Sequence, residues 1–204
     1  MGSDSKGSWC KNLKVANEVG FIMIQETQFE SLDNVNISRF WGSEDFEFEY
    51  VDATGRSGGL ISLWNPRIFA KCSVYKDRNI LAVSGMIKND GRKVTCINVY
   101  CPQRINDKRM VWDKIRSLVS VDDGFRVVGG DFNSVRDSVE RRNSYFNAAE
   151  TNEFNDFVDD AGLHEFTLKG RKFTYLAGDL KRPLNERIQE DRTSEVCGPT
   201  RDET

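Results

Sequence analysis

Gly129-Gly130-Asp131-Phe132-Asn133 follows directly on the apolar run Phe125-Arg126-Val127-Val128. A buried strand that ends on paired glycines and then offers a carboxylate and an amide packs poorly. It suits ligand binding, because backbone can approach closely at glycine and alternate residues of an extended chain share a face. Asp131 and Asn133 are thereby predicted to point into one site, fit for a metal ion and a phosphate. The same residue types also build an ordinary strand-to-loop turn. A second apolar run, Phe21-Ile22-Met23-Ile24-Gln25-Glu26-Thr27, ends in a carboxylate. A third, Ile97-Asn98-Val99-Tyr100-Cys101-Pro102-Gln103, ends in a tyrosine just before a proline. Three strand ends carrying Glu26, Tyr100 and the Asp131/Asn133 pair predict one polar floor at one edge of a sheet core, where α/β-type proteins place their chemistry. Each residue has a plainer alternative: Tyr100 as a packed aromatic with its hydroxyl satisfied, Glu26 as a surface residue at a strand end.

Positioning these side chains takes a framework, and the periodicity supplies one. Trp9 to Val19 reads as a helix with Leu13, Ala16 and Val19 on one side. Strands are predicted at 21–25, 46–51, 59–64, 70–75, 80–87, 92–100 and 125–129, with Asn89-Asp90-Gly91-Arg92 as a hairpin turn. Asn106 to Val121 reads as a helix, as does Thr151 to Asp160, whose apolar stripe is Phe154, Phe157 and Val158 and whose opening is only weakly capped. Short strands near 163–167 and 172–176 close the patterned part.

Composition narrows the class. The 204 residues, 38% hydrophobic and 30% charged, fit one folded domain with a sizeable core. No apolar stretch approaches the length of a membrane span. Five scattered cysteines without a Cys-x-x-Cys pair argue against a disulfide framework or a zinc knuckle, and predict a nuclear or cytoplasmic setting. The net charge of −3 carries no global signature of nucleic-acid binding. Bases do concentrate locally from Lys169 to Arg187, and Arg141-Arg142 adds a smaller focus. Arg141, Arg142 and Lys172 are therefore candidates to neutralise substrate phosphate, against the alternative of a merely solvated surface.

The series Ile24-Gln25-Glu26-Thr27, Ser57-Gly58-Gly59-Leu60, Asn98-Val99-Tyr100-Cys101-Pro102, Gly130-Asp131-Phe132-Asn133 and Gly170-Arg171-Lys172-Phe173-Thr174-Tyr175 resembles the endonuclease/exonuclease/phosphatase superfamily, the deoxyribonuclease-like fold. Order and spacing look most like the endonuclease domain of plant LINE-type retrotransposons, as does Asn152-Glu153-Phe154-Asn155-Asp156-Phe157 followed by Ala161-Gly162-Leu163. The resemblance runs from about Trp9 to Ala177. It implies an α/β four-layer sandwich, two facing and mainly antiparallel sheets flanked by helices. The domain is then 9–177, followed by a polar tail, 178–204, whose composition predicts disorder.

The resemblance also implies Mg²⁺-dependent phosphodiester hydrolysis, with DNA or another phosphodiester as substrate and no membrane or stable protein partner. A hard divalent cation, Mg²⁺ or in its place Mn²⁺, prefers oxygen donors and takes only one or two protein carboxylates. Glu26 is the candidate metal ligand. By resemblance, Asp131 orients or deprotonates the attacking water, Asn133 holds that water or the phosphate, and Tyr100 donates to a phosphate oxygen. Gln103 stands where related nucleases carry an amide on phosphate.

Both ends depart from the family pattern. Its members open on a strand bearing an asparagine and close on a Ser-Asp-His phrase. Here the first nine residues are glycine- and serine-rich, so the first and last strands are expected to be missing. The sole histidine, His164, lies upstream of the expected place and reads as structural or surface. Turnover is expected to be weakened or lost. A non-catalytic remnant with residual nucleic-acid binding, and a small-molecule phosphatase, remain as alternatives.

Overall fold

The computed structural model describes residues 3–33, 35–55, 57–121, 124–140, 146–166 and 196–197. Apolar residues alternate along the middle strands, and each face of that alternation finds its own partner. The first sheet holds β1 (Phe21–Gln25), β2 (Glu47–Thr54) and β3 (Ser57–Trp64) in the order β1-β3-β2, all antiparallel. The second holds β4 (Phe69–Asp77), β5 (Ile80–Ile87), β6 (Lys93–Tyr100) and β7 (Phe125–Asp131), extended by the two-residue strands β8 (His164–Glu165) and β9 (Val196–Cys197), in the order β4-β5-β6-β7-β9-β8. Within it β6 and β7 run parallel, and the other neighbours antiparallel.

Three apolar clusters mark three layer contacts. Leu60 and Trp64 of β3 meet Leu81 and Val83 of β5 between the sheets, with Phe69. Ile61 and Leu63, on the other face of β3, pack with Ile37, Phe40 and Trp41 of the α2 region (α2, Ser38–Trp41) and with Cys10 of α1 (Ser3–Ala16). Ile80, Ala82, Ile97 and Val99 pack on Val111, Trp112 and Ile115 of α3 (Ile105–Val119) and on Phe154, Phe157 and Val158 of α4 (Ala148–Asp160). The order helix, sheet, sheet, helix is the expected four-layer sandwich. No helix among the described residues is long and apolar enough to cross a membrane.

Several boundaries differ from the periodicity. The first helix begins at Ser3 and ends at Ala16, since packing on α2 outweighs the low helix propensity of its glycine and serines. The fourth helix begins at Ala148, and its cap is Asn147, whose side chain accepts from the Glu150 N–H at 3.3 Å. The strand expected at 163–167 is only His164–Glu165. Val196–Cys197, inside the segment expected to be patternless, pairs antiparallel with both β7 and β8. The strand expected at 172–176 and the basic run from Lys169 to Arg187 lie outside the described residues.

Candidate active site

Strand direction decides which residues share the site. Because β6 and β7 are parallel and in register at Tyr100 and Asp131, both end at one edge of the second sheet. The turn that opens β5 lies at the same edge: the Asn79 side chain donates to the Tyr100 carbonyl at 2.7 Å, and the Tyr100 N–H donates to the Asn79 carbonyl at 3.0 Å. From the facing sheet, β1 ends at Gln25 and hands Glu26 to that edge.

Backbone conformation aims these groups. Glu26 and Asn133 are non-glycine residues with left-handed φ values of 51° each. That conformation costs on the order of 1–3 kcal/mol and persists only where surrounding bonds impose it. After Glu26 the chain stays bonded to the start of β3, with the Thr27 N–H on the Gly59 carbonyl (3.2 Å) and the Gln28 N–H on that of Gly58 (3.1 Å). Gly59 has φ 85°, and a Cβ there would collide with Thr27 Oγ1, so the Ser57-Gly58-Gly59-Leu60 phrase makes room for the turn that presents Glu26. Gly130 has φ 142°, and a Cβ there would overlap the Val99 carbonyl. Only glycine allows β7 to lie so close to β6 immediately before Asp131.

The side chains then meet. Tyr100 Oη donates to Glu26 Oε1, linking the two sheets across the edge. Burial and the Glu26 carboxylate hold the Tyr100 phenol well above its ordinary pKa, so it stays protonated and a donor. Asp131 reaches solvent, but the protein packed about its carboxyl strips hydration and raises its pKa. The Asn133 N–H (2.8 Å to Asp131 Oδ1) pulls that pKa down, Glu26 pushes it up, and Lys108 lowers it. Asn133 is itself engaged: Nδ2 donates to the Cys101 carbonyl at 2.6 Å, and Oδ1 accepts from Gln103 Nε2 at 2.6 Å. Asn133 thus orients the exposed Gln103, while Glu26, Tyr100 and Asp131 form the floor. Arg141, Arg142 and Lys172 lie outside the described residues, and His164 is exposed in β8.

Two supporting residues escaped the sequence reading. Asn98, with no exposed surface, lies on the face of β6 turned toward the first sheet. Its Nδ2 donates to the carbonyls of Ile24 (3.2 Å) and Ile61 (3.1 Å), and its Oδ1 accepts from Gln25 Nε2 at 2.6 Å. Lys108 of α3, 1% exposed, donates to the Asn133 carbonyl, to Ser134 Oγ (3.1 Å) and to Glu150 of α4. A polar residue inside an apolar strand run, and a lysine on the stripe side of a helix, were the available signals.

The donor chemistry fits a hard cation. Glu26 and Asp131 both offer carboxylate oxygens, and the Glu26 charge raises the Asp131 pKa, an effect that a cation between the strand ends would relieve. No cluster of three or more His, Cys, Asp or Glu side chains able to hold a metal occurs among the described residues.

Charge around the rim is selective. Arg78, beside Asn79, and Arg104, beside Gln103, are exposed, and their side chains have no hydrogen bond, ion pair or ring contact among the described residues. Every other described arginine is engaged: Arg39 on aromatic rings, Arg126 on the Gly124 carbonyl, and Arg67, Arg92, Arg109, Arg116 and Arg136 on carboxylates.

Solved structures share this architecture. The AP endonuclease LMAP from Leishmania major superposes with a TM-score of 0.62 at 10% identity, over 78% of this chain and 62% of that one. At this identity the likeness is one of fold. The endonuclease domain of TRAS1, a telomere-specific non-LTR retrotransposon, superposes with a TM-score of 0.58 at 14% identity, over 80% of this chain and 69% of that one. ANGEL2, a 2′,3′-cyclic phosphatase, gives 0.53 at 21% identity, over 66% and 45%. The chain thus spans 45% to 69% of the length of these three structures. Comparison with protein-family models and with curated proteins yields no match.

Proposed function

We propose that this chain acts on DNA as a phosphodiesterase dependent on Mg²⁺, or on Mn²⁺ in its place, of the kind carried by the endonuclease domain of plant LINE-type retrotransposons, in a nuclear or cytoplasmic setting. One observation carries the reading: Glu26, Tyr100 and Asp131 arrive at one sheet edge from two different sheets, with Tyr100 bonded to Glu26. A packing role would not require two carboxylates to share a site in which one raises the pKa of the other.

The residues divide the work. Glu26 is the residue to hold the divalent ion, which when bound neutralises charge on the phosphate oxygens. Asp131 faces the attacking water and accepts its proton, a role that its raised pKa favours. The protonated Tyr100 fixes the Glu26 carboxylate by its hydrogen bond. Asn133 orients the amide of Gln103, whose remaining N–H group is free to meet a phosphate oxygen. Arg78 and Arg104, whose side chains have no partner among the described residues, give the rim a positive edge suited to a polyanion.

The test is nicking of supercoiled plasmid by the purified, folded chain with Mg²⁺, against EDTA and Asp131→Ala. Nicking that disappears in both controls supports the reading. Binding of DNA without nicking by either form would overturn it in favour of a non-catalytic remnant. Hydrolysis of small phosphate esters without nicking would place the chain with the phosphatases.

A further inference from the structure

Lysine is almost never fully buried unless its charge is met, and Lys108 is 1% exposed. Its ammonium has three hydrogens, and the structure gives all three an acceptor: the Asn133 carbonyl, Ser134 Oγ and the Glu150 carboxylate. These acceptors belong to two different pieces of chain, the loop after β7 and the first turn of α4, while Lys108 itself stands in α3. A pair meant only to join α3 to α4 would need Glu150 and nothing more. Here the ammonium also grips the carbonyl of Asn133, the residue whose left-handed backbone turns the chain directly after Asp131.

We propose that Lys108 is the positioning residue of the active site: by holding the Asn133 carbonyl it fixes the turn that sets Asp131 and, through Asn133, Gln103. The chain of bonds is continuous. Lys108 fixes the Asn133 carbonyl, the Asn133 N–H donates to Asp131 Oδ1 at 2.8 Å, and the Asn133 side chain holds Gln103 and the Cys101 carbonyl. Ser134 Oγ, bonded to both Lys108 and Glu150 (3.3 Å to the latter), braces the next residue of the same turn. Glu150 serves as the counter-charge of the buried ammonium. Lys108 touches no reacting atom: it acts through the turn at Asn133 and Ser134, and its charge lowers the Asp131 pKa. This inference rests on the phosphodiesterase reading of the site.

Removing Lys108 alone would strand Glu150 and confuse misfolding with mispositioning. The informative variant is the double replacement Lys108→Met/Glu150→Met beside Lys108→Met, since an apolar pair commonly restores the stability that a broken buried ion pair loses. Three quantities are measured on the full chain: melting temperature, kcat and KM for plasmid nicking, and hydrogen exchange of the Asn133 amide. The expected result is that the double variant regains most of the melting temperature lost by Lys108→Met. Its kcat stays down by about 10- to 100-fold with KM within about threefold, the mark of displaced catalytic geometry, and its Asn133 amide exchanges faster. A double variant whose kcat returns with its melting temperature, or whose Asn133 amide stays protected, overturns the proposal. If the wild-type chain does not nick DNA, the functional reading fails, and amide exchange alone decides whether Lys108 fixes the turn.

Discussion

Tyr100 donates its phenolic hydrogen to the Glu26 carboxylate, and this one bond ties the carboxyl end of β6 to that of β1 in the facing sheet. Neither residue could reach the other if the sheets were stacked out of step, so the bond reports the alignment of the sandwich at its functional edge. It also fixes one Glu26 oxygen and leaves the carboxylate's remaining lone pairs for a cation.

Tyr100→Phe removes that donor while keeping the ring. The nicking rate is expected to fall by about 10²-fold, as for other donors that orient charge in a site, and the Mg²⁺ concentration giving half-maximal rate is expected to rise. Because burial and Glu26 raise the Tyr100 pKa, the wild-type rate should show no alkaline loss from tyrosine ionisation. Rate against Mg²⁺ and against pH checks both points, and an unchanged Tyr100→Phe rate would return Tyr100 to a packing role.

Asp131 gives the acid side of the same profile. Its folded-state pKa is raised, first by loss of hydration and then by Glu26. A raised carboxyl pKa means that the protonated form favours the fold. The contribution is fully present below the ordinary aspartate pKa and is lost as pH rises through the folded value. Asp131→Asn should therefore lose turnover yet be at least as stable as the parent at neutral pH, with the two stabilities converging at low pH. Urea unfolding across that window tests the sign. Nuclear magnetic resonance of the Asp131 carboxyl should show its pKa falling in Glu26→Gln.

The strands that carry Glu26, Tyr100 and Asp131 were legible in the sequence because a buried strand that ends in polar groups breaks its own apolar pattern. The glycine before Asp131 was legible for a related reason, since the positive φ and close backbone approach at Gly130 exclude other residues. What the sequence hid is pairing at a distance. Lys108 looks like any helix lysine until Glu150 and the Asn133 carbonyl are placed above it. Asn98 looks like a strand irregularity until a second sheet supplies its partners. The cap of α4 was missed because Asn147 lies before the apolar stripe begins, and β9 because a two-residue strand has no period to read.

Asn98 carries a stability prediction. Asn98→Leu would leave the Gln25 amide without an acceptor and the Ile24 and Ile61 carbonyls without its donor, all at the contact between sheets. The expected cost is about 2–3 kcal/mol, in the range for buried polar partners left unsatisfied. Since β1 leads directly into Glu26, Mg²⁺-dependent stabilisation should weaken as well. Urea denaturation with and without Mg²⁺ separates the two effects.

Arg78 and Arg104 make the substrate class testable without turnover. Each is exposed, has a side chain with no partner among the described residues, and stands next to a residue bonded into the site, Asn79 or Gln103. An arginine on a DNA phosphate releases a counterion, so each such contact contributes about 0.9 to the slope of log K against log salt. Arg78→Ala and Arg104→Ala should each weaken DNA binding at low salt and flatten that slope by about 1, with the double variant showing the sum. Arg67→Ala should change neither quantity, because Arg67 is held by Asp45 at 2.7 Å and lies away from the Tyr100 edge, after β3. Fluorescence anisotropy with labelled duplex DNA over a salt series reads the slope directly. Equal slopes for the parent and all four variants would remove DNA phosphate from the edge at Tyr100 and point to a small phosphate ester there, whose single anion needs no extended positive rim.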